Sequence, residues 1–280
     1  MRRMPRGRYH VLARLAPASG RFIGRLAGEL GGARFDCDLA DLISREVCFT
    51  GLYEPPVTRV FTHYARPGAA IADVGANWGY FTLVAAPAVG PSGSVVALEP
   101  DPRQFDALSR NVALNGFAHV QCIEAAASSS DGRVTLAGFA DEEANRGVSR
   151  IADGGQGGPT FDVRAVRLDA LLPGPEGIDL VKIDVEGAED LVLEGMRDGL
   201  RSRRYRALVL ELHPEHLRAR GVDPAICLRG LADLGYRGWT IDVSPAAYRR
   251  ALDPGTPIDD LLRPLDHWRE TAWPHLLWLC

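Results

Sequence analysis

Asp73-Val74-Gly75-Ala76-Asn77-Trp78-Gly79-Tyr80-Phe81 is the stretch whose reading decides the fold. A short apolar run beginning at Ala69 stops at Gly75, and a helical pattern begins near Phe81 and runs to Val89. That is a strand delivered straight into a glycine turn and then a helix. Glycine has no Cβ and accepts unusual dihedrals, so a ligand can approach such a turn closely. The helix start behind it offers free backbone N–H groups to polar or negative ligand atoms.

Outward from this turn the same alternation repeats. Ser94 to Glu99 reads as a second buried strand, and 102–115 as a helix stopped by Asn115-Gly116. A third strand falls at Val120–Ile123, a fourth at Ile178–Val185 and a fifth at Ala207–Leu212. A helix passes through Glu189, Leu193 and Met196, and a single helix is predicted from about Glu215 to Leu234. Gly235–Val243 and the terminal His275–Leu279 read as a hairpin at the sheet edge. Strands alternating with helices predict a mainly parallel α/β sheet covered on both faces. Val134–Phe139 and Phe161–Val166 flank a polar, glycine-rich insert, Asp141 to Pro159. Its length suits a lid or binding loop, with a plain surface loop as the alternative.

The 280 residues, 46% hydrophobic and 24% charged, describe an ordinary globular chain able to bury a core without disulfides. A net charge of −4 argues against nucleic acid as a partner. No apolar run approaches the roughly 20 residues that span a bilayer, so no integral membrane segment is expected. Lys182 is the only lysine. The five scattered cysteines form no CxxC pair, and reduced thiols in a cytoplasmic protein are expected. The arginine-rich start, from Arg2 to Arg25, suits a capping helix or a frayed end; contact with an acidic surface is the alternative.

Glu99 ends the second strand, where a carboxylate accepts hydrogen bonds from the ribose hydroxyls of a nucleoside cofactor. A dinucleotide fingerprint would want glycines at 75, 77 and 80, but Asn77 and Tyr80 stand at two of these. Asp73 is poor company for a pyrophosphate and suits the ammonium group of a methionine moiety. These features favour S-adenosylmethionine over a nicotinamide dinucleotide.

Several segments together resemble the FkbM-type methyltransferase family. They are D-V-G-A-N-W-G-Y-F-T (73–82), V-A-L-E-P-D-P-R-Q-F (96–105), N-V-A-L-N-G-F (111–117), D-L-V-K-I-D-V-E-G-A-E (179–189) and L-V-L-E-L-H-P (208–214). G-L-Y-E-P-P (51–56), the Asn145, Gly147, Ser149 segment and H-L-L-W (275–278) are similar to it as well. The resemblance implies a Rossmann-like class I sheet of seven strands, order 3-2-1-4-5-7-6 with strand 7 antiparallel, over residues 51–280. Residues 1–50 form a basic, helical N-terminal extension on this reading. It further implies O-methylation of a sugar or natural-product hydroxyl, a small-molecule acceptor. N- or carboxyl-methylation and a non-catalytic cofactor-binding relative are the alternatives.

Carried over by position, Gly75, Ala76, Asn77 and Gly79 surround the cofactor, with Asp73 beneath its amino-acid end and Glu99 on the ribose. Pro100 or Asp101 flanks the adenine and Ala126 lines its pocket, while Tyr53 and Glu54 close the methionine end. Asp184, also assigned to the cofactor site, and Glu186 follow the fourth strand; Glu211 and His213 follow the fifth. All four are candidates for taking the acceptor's proton. His213 comes first, because an ordinary imidazole pKa near 6.5 suits proton uptake at neutral pH. No metal is assigned, although these four would suit one hard cation if they converge.

Overall fold

The computed structural model describes residues 17, 19–138, 150–151, 160–172, 177–265 and 273–280. An antiparallel hairpin, β1 (Arg21–Arg25) and β2 (Arg34–Asp38), leads to helices α1 (Leu42–Thr50) and α2 (Pro55–Tyr64). Strands and helices then alternate: β3 (Ala70–Val74), α3 (Tyr80–Val89), β4 (Ser94–Leu98), α4 (Pro102–Asn115) and β5 (Val120–Ile123). A separate small sheet follows from β6 (Ala126–Ala127), β7 (Gly132–Ala137), β8 (Arg150–Ile151) and β9 (Thr160–Val166). Next come α5 (Leu168–Leu171), β10 (Leu180–Ile183), α6 (Glu189–Gly195), α7 (Arg197–Arg201), β11 (Ala207–Glu211), α8 (Pro214–Ala219) and α9 (Ala225–Asp233). β12 (Arg237–Ile241), α10 (Pro245–Ala251), β13 (Leu262–Pro264) and β14 (His275–Leu279) complete the described chain.

The main sheet runs β13-β12-β14-β11-β10-β3-β4-β5. From β5 through β11 it is parallel, while β14 is antiparallel to both β11 and β12. It has eight strands where seven were expected, because β13 pairs antiparallel to β12 and extends the edge. β12 and β14 pair antiparallel as the sequence suggested, and β14 is wedged between β11 and β12, the place of strand 7 in the expected order. That wedge sets His275 directly opposite Glu211.

Alternate side chains of each strand enter opposite cores, as a period of two requires. Ile71, Val95, Leu180, Val209 and Leu277 pack with Val60 and Phe61 of α2 and Leu83 of α3. Val74, Val181, Ile183, Leu208 and Leu276 face the other way, against Val192 of α6 and Leu228 of α9.

Three further expectations are corrected. The described part of the N-terminal extension is a hairpin followed by a helix, not a helical segment throughout. In β2, Phe35 and Cys37 are buried and their neighbours are not, which is a strand period. The free edge of β2 is satisfied by side chains of α4: the Asp36 and Arg34 N–H groups donate to Asn111 Oδ1 (2.7 Å) and Asn115 Oδ1 (2.8 Å). The arginines before residue 17 lie outside the described residues, as does nearly all of the 141–159 insert with Asn145, Gly147 and Ser149. Cys37 and Cys48 are paired as a disulfide, contrary to the expectation of reduced thiols throughout. The helix expected from 215 to 234 is broken into α8 and α9, because Gly221 turns left-handed (φ 77°) and Pro224 cannot donate a helical N–H. Among the described residues no helix is long and apolar enough to cross a membrane.

The turn after β3 is packed too tightly for any side chain. Gly75 has φ 81°, and a Cβ there would lie 1.8 Å from the Asp184 carbonyl oxygen. Gly116, left-handed at φ 66° and ψ 30°, has nothing within 4 Å of the same position. Gly116→Ala should therefore lose only the left-handed backbone strain, about 1–2 kcal/mol. Gly75→Ala should lose clearly more, because the ends of β3 and β10 must separate as well; equilibrium urea unfolding of the two variants measures the difference.

Candidate functional site

A cavity of about 1190 Å³ opens at the carboxyl ends of β3, β4, β10 and β11, where ligands bind in open α/β sheets. Ligand pockets commonly run up to about 1,000 Å³, so this volume suits a cofactor together with an acceptor.

One wall is the turn after β3. The Gly75 and Ala76 N–H groups donate to the Leu98 carbonyl at 3.0 and 2.9 Å, tying the turn to the end of β4. Asn77 takes up a left-handed conformation (φ 52°), which asparagine tolerates better than most residues, and its N–H donates to Glu99 Oε2 at 2.7 Å. The other Glu99 oxygen accepts from the Asp101 N–H at 2.8 Å. Burial pushes the Glu99 carboxyl up to about 8, against the pull of these two N–H groups. Gly79 caps α3 with φ 99°, and a Cβ there would lie 2.8 Å from Leu108 Cδ1.

The facing wall is acidic. Asp184 accepts from Lys182 Nζ at 3.1 Å. Burial alone would raise its carboxyl, but Lys182 and then His213 hold it below the usual range. The ring of His213 is only 3% exposed, and its Nδ1 lies 2.7 Å from Oε1 of the fully buried Glu189. Its Nε2 faces Glu186 Oε2 (3.4 Å), Glu211 Oε1 (3.7 Å) and Asp184 Oδ1 (3.9 Å). Burial opposes charge on this ring, yet the Glu189 hydrogen bond and the carboxylates of Glu186 and Asp184 outweigh it and push His213 up to about 9. The ring therefore holds a proton at neutral pH, unlike the ordinary imidazole expected from the sequence.

Glu54 and His275 complete this wall. His275 Nε2 lies 3.7 Å from Glu54 Oε1 and its Nδ1 lies 3.5 Å from Glu211 Oε2. Burial and then Lys182 push His275 down to about 3, so its ring is neutral. Burial raises Glu54 to about 7 and Glu211 well above the carboxylate range, in both cases against the pull of Lys182. Glu54 (φ 41°) and Glu186 (φ 52°) are both held left-handed. The Tyr53–Glu54 segment is fixed by Tyr80, whose hydroxyl accepts from the Tyr53 N–H at 3.0 Å and stands 3.0 Å from Thr58 Oγ1.

Most residues singled out in the sequence meet at this cavity. Gly75, Ala76, Asn77, Glu99, Pro100 and Ala126 line one side; Tyr53, Glu54, Asp184, Glu186, Glu211 and His213 line the other. Asp73, Gly79 and Asp101 stand behind the lining. Asp73 accepts from the Thr82 hydroxyl at 2.6 Å beneath the turn, and Asp101 caps α4 through the Arg103 N–H at 2.9 Å. Glu189 and His275 were not anticipated as site residues. Glu189 sits three residues beyond Glu186, a spacing that also reads as the exposed first turn of a helix. His275 reaches the site only because β14 inserts beside β11.

Comparison with known proteins identifies similar chains. Residues 73–237 match the methyltransferase FkbM domain family. Methyltransferase sdnD of Sordaria araneosa is 35% identical over 155 residues, covering 45% of this chain and 60% of that protein. Methyltransferase 1 of Beauveria bassiana is 30% identical over 146 residues, 46% of this chain and 58% of that protein. The matches thus span about three fifths of these two relatives. The hexuronic acid methyltransferase AglP of Haloferax volcanii is 27% identical over 214 residues, 75% of this chain and 81% of that protein. With residues 73–237, more than half of its length, matching this one methyltransferase domain, the chain belongs to the FkbM methyltransferase family.

Proposed function

We propose that this methyltransferase uses S-adenosylmethionine and methylates a hydroxyl of a sugar or another small natural product. The observation that carries the cofactor is the Glu99 carboxylate, buried at the end of β4 and fixed by the N–H groups of the turn it faces. Glu99 would accept from the ribose hydroxyls, Ala126 and Pro100 would flank the base, and Asp184 and Tyr53 would border the amino-acid end. Asp73, one layer down, would add its negative field.

S-adenosylmethionine supplies an electrophilic methyl group on a sulfonium, and the electron pair of the broken S–CH₃ bond stays on sulfur. The chain positions the other partner. An acceptor hydroxyl at the edge formed by Asp184, Glu186, Glu211 and His213 lies across the cavity from the turn, and holding two reactants in line accounts for much of such a rate enhancement. Its proton passes to the carboxylates of this edge. The reading as a sugar hydroxyl takes support from AglP, whose name gives hexuronic acid as its substrate. Trp273 is 60% exposed at the cavity wall, an apolar plate of the kind sugar rings lie against, and Arg263, 3.5 Å from Asp242 and lining the same cavity, offers a cation to an acidic sugar.

Two outcomes test this reading. Glu99 must be ionised to accept from both ribose hydroxyls, and its carboxyl sits at about 8. Affinity for S-adenosylhomocysteine should fall by up to about tenfold per pH unit below about 8 and level off above it. In Glu99→Gln the binding should be weaker and that slope largely gone; calorimetric titrations between pH 6 and 9 read both. Separately, His213→Ala should lower transfer of labelled methyl to hexuronic acid glycosides by about 10²-fold or more, with S-adenosylhomocysteine binding preserved. Equal transfer by both proteins would remove His213 from the reaction.

A further inference from the structure

We infer that Asp184, Glu186 and His213 hold a divalent cation, with Glu211 at its border, and that this cation seats the acceptor. The role assigned to the cation rests on the methyltransferase reading; the site itself does not. Four observations converge on it. The ligand atoms of Asp184, Glu186 and His213 lie within 4.8 Å of one another on the cavity wall. The gaps from His213 Nε2 to the three carboxylates, 3.4–3.9 Å, are too long for good hydrogen bonds. They are close to the spacing of neighbouring ligands around one ion with bonds of about 2.1–2.3 Å.

The imidazole is also prepared as a ligand, a cation at Nε2 displacing the ring's second proton. Metal-bound histidines regularly give their second ring nitrogen to a carboxylate, which fixes the ring and its tautomer. Here the fully buried Glu189 does this through Nδ1, and Glu189 Oε1 is itself anchored by the Gly187 N–H at 2.9 Å. Nε2 is left pointing at the three carboxylates with no hydrogen bond of its own. The last observation is independent of these. His275, 7% exposed, belongs to the adjoining Glu54–Glu211 group and turns Nδ1 toward Glu211 at the border of the site, 3.5 Å from Oε2, and that buried nitrogen has no hydrogen-bond partner. Fully satisfied buried polar atoms are the rule, so an orphan here marks a place for a ligand or a ligand-bound water.

The donor set is two or three carboxylates and one imidazole, which favours Mg²⁺ or Mn²⁺ over thiophilic ions. Carbohydrates present adjacent hydroxyls, and a cation on this edge would chelate two of them. It would also make the hydroxyl that attacks easier to deprotonate, with Glu211 as the adjoining proton acceptor.

Mn²⁺ added to the chelator-stripped full-length protein, followed by the loss of the free-ion paramagnetic resonance signal, tests the site directly. One Mn²⁺ should bind per chain. Glu186→Gln, at a partly exposed position where the fold is not at stake, should weaken it by about tenfold or more, and Glu189→Gln by a similar factor through the ring it holds. Absence of stoichiometric binding, or binding indifferent to Glu186→Gln, overturns the site. Calorimetry with S-adenosylhomocysteine on the same samples reads the methyltransferase proposal separately. Cofactor binding without Mn²⁺ binding rejects the cation alone. Mn²⁺ binding weakened by Glu186→Gln upholds the site even where S-adenosylhomocysteine fails to bind.

Discussion

A single buried ammonium governs the charge of this molecule's working edge. Lys182, 1% exposed on the central strand β10, lies 4.9 Å from the centre of the Phe81 ring and donates to Asp184. Taking such a group out of water costs several kcal/mol unless it is paired. Burial opposes its charge, but Asp184, Glu211 and Glu54 together outweigh burial and hold its pKa above the ordinary lysine value. The arithmetic is lopsided. One ammonium faces three carboxyl groups: Lys182 holds Asp184 below the usual range, while burial keeps Glu54 and Glu211 above it against the same pull. The edge carries more carboxyl groups than Lys182 and the protonated His213 can hold ionised, and a positively charged ligand would meet that surplus.

Backbone strain gathers at the same place. Of the four described non-glycine residues with positive φ, three line the cavity: Glu54, Asn77 and Glu186. Each such residue costs on the order of 1–3 kcal/mol and persists only where its surroundings insist on it. For Asn77 the insistence comes from Glu99, and for Glu54 from the Tyr53–Tyr80 lock and the Pro55-Pro56 start of α2. The strain is thus spent on aiming site residues into one cavity, which fits preorganised chemistry better than a loose binding surface.

How much of this was readable beforehand follows the range of the signal. Period and turn chemistry are local, so the β3 turn, Glu99 and the parallel strands β3, β4, β5, β10 and β11 were legible to within a few residues, whereas the two-residue strands β6 and β8 were not. The hairpin of β1 and β2 was not, because its buried positions are few and its edge is completed by Asn111 and Asn115, some 75–81 residues away. The disulfide was missed for a similar reason: Cys37 and Cys48 meet only when β2 and α1 fold against each other. His213 was found, but its properties were not. Its raised pKa depends on Glu189 and the neighbouring carboxylates, none of which adjoins it in the sequence.

The two halves of the cavity meet in one residue. The Asp184 N–H donates to the Val74 carbonyl at 3.0 Å, its own carbonyl fills the space a Gly75 side chain would need, and its carboxylate joins the acidic edge through Lys182. The distance between the turn and the acidic wall is therefore set by parallel pairing of β3 with β10, not by the loops that cover the opening. Effective molarities for well-aligned reactants reach about 10⁵–10⁸ M and decay with misplacements of about 1 Å. A sheet held by backbone hydrogen bonds and two apolar cores can keep that tolerance. The glycine turn and the acidic wall are thus aligned by the sheet itself, while Arg263 and Trp273 line the cavity from outside the parallel strands.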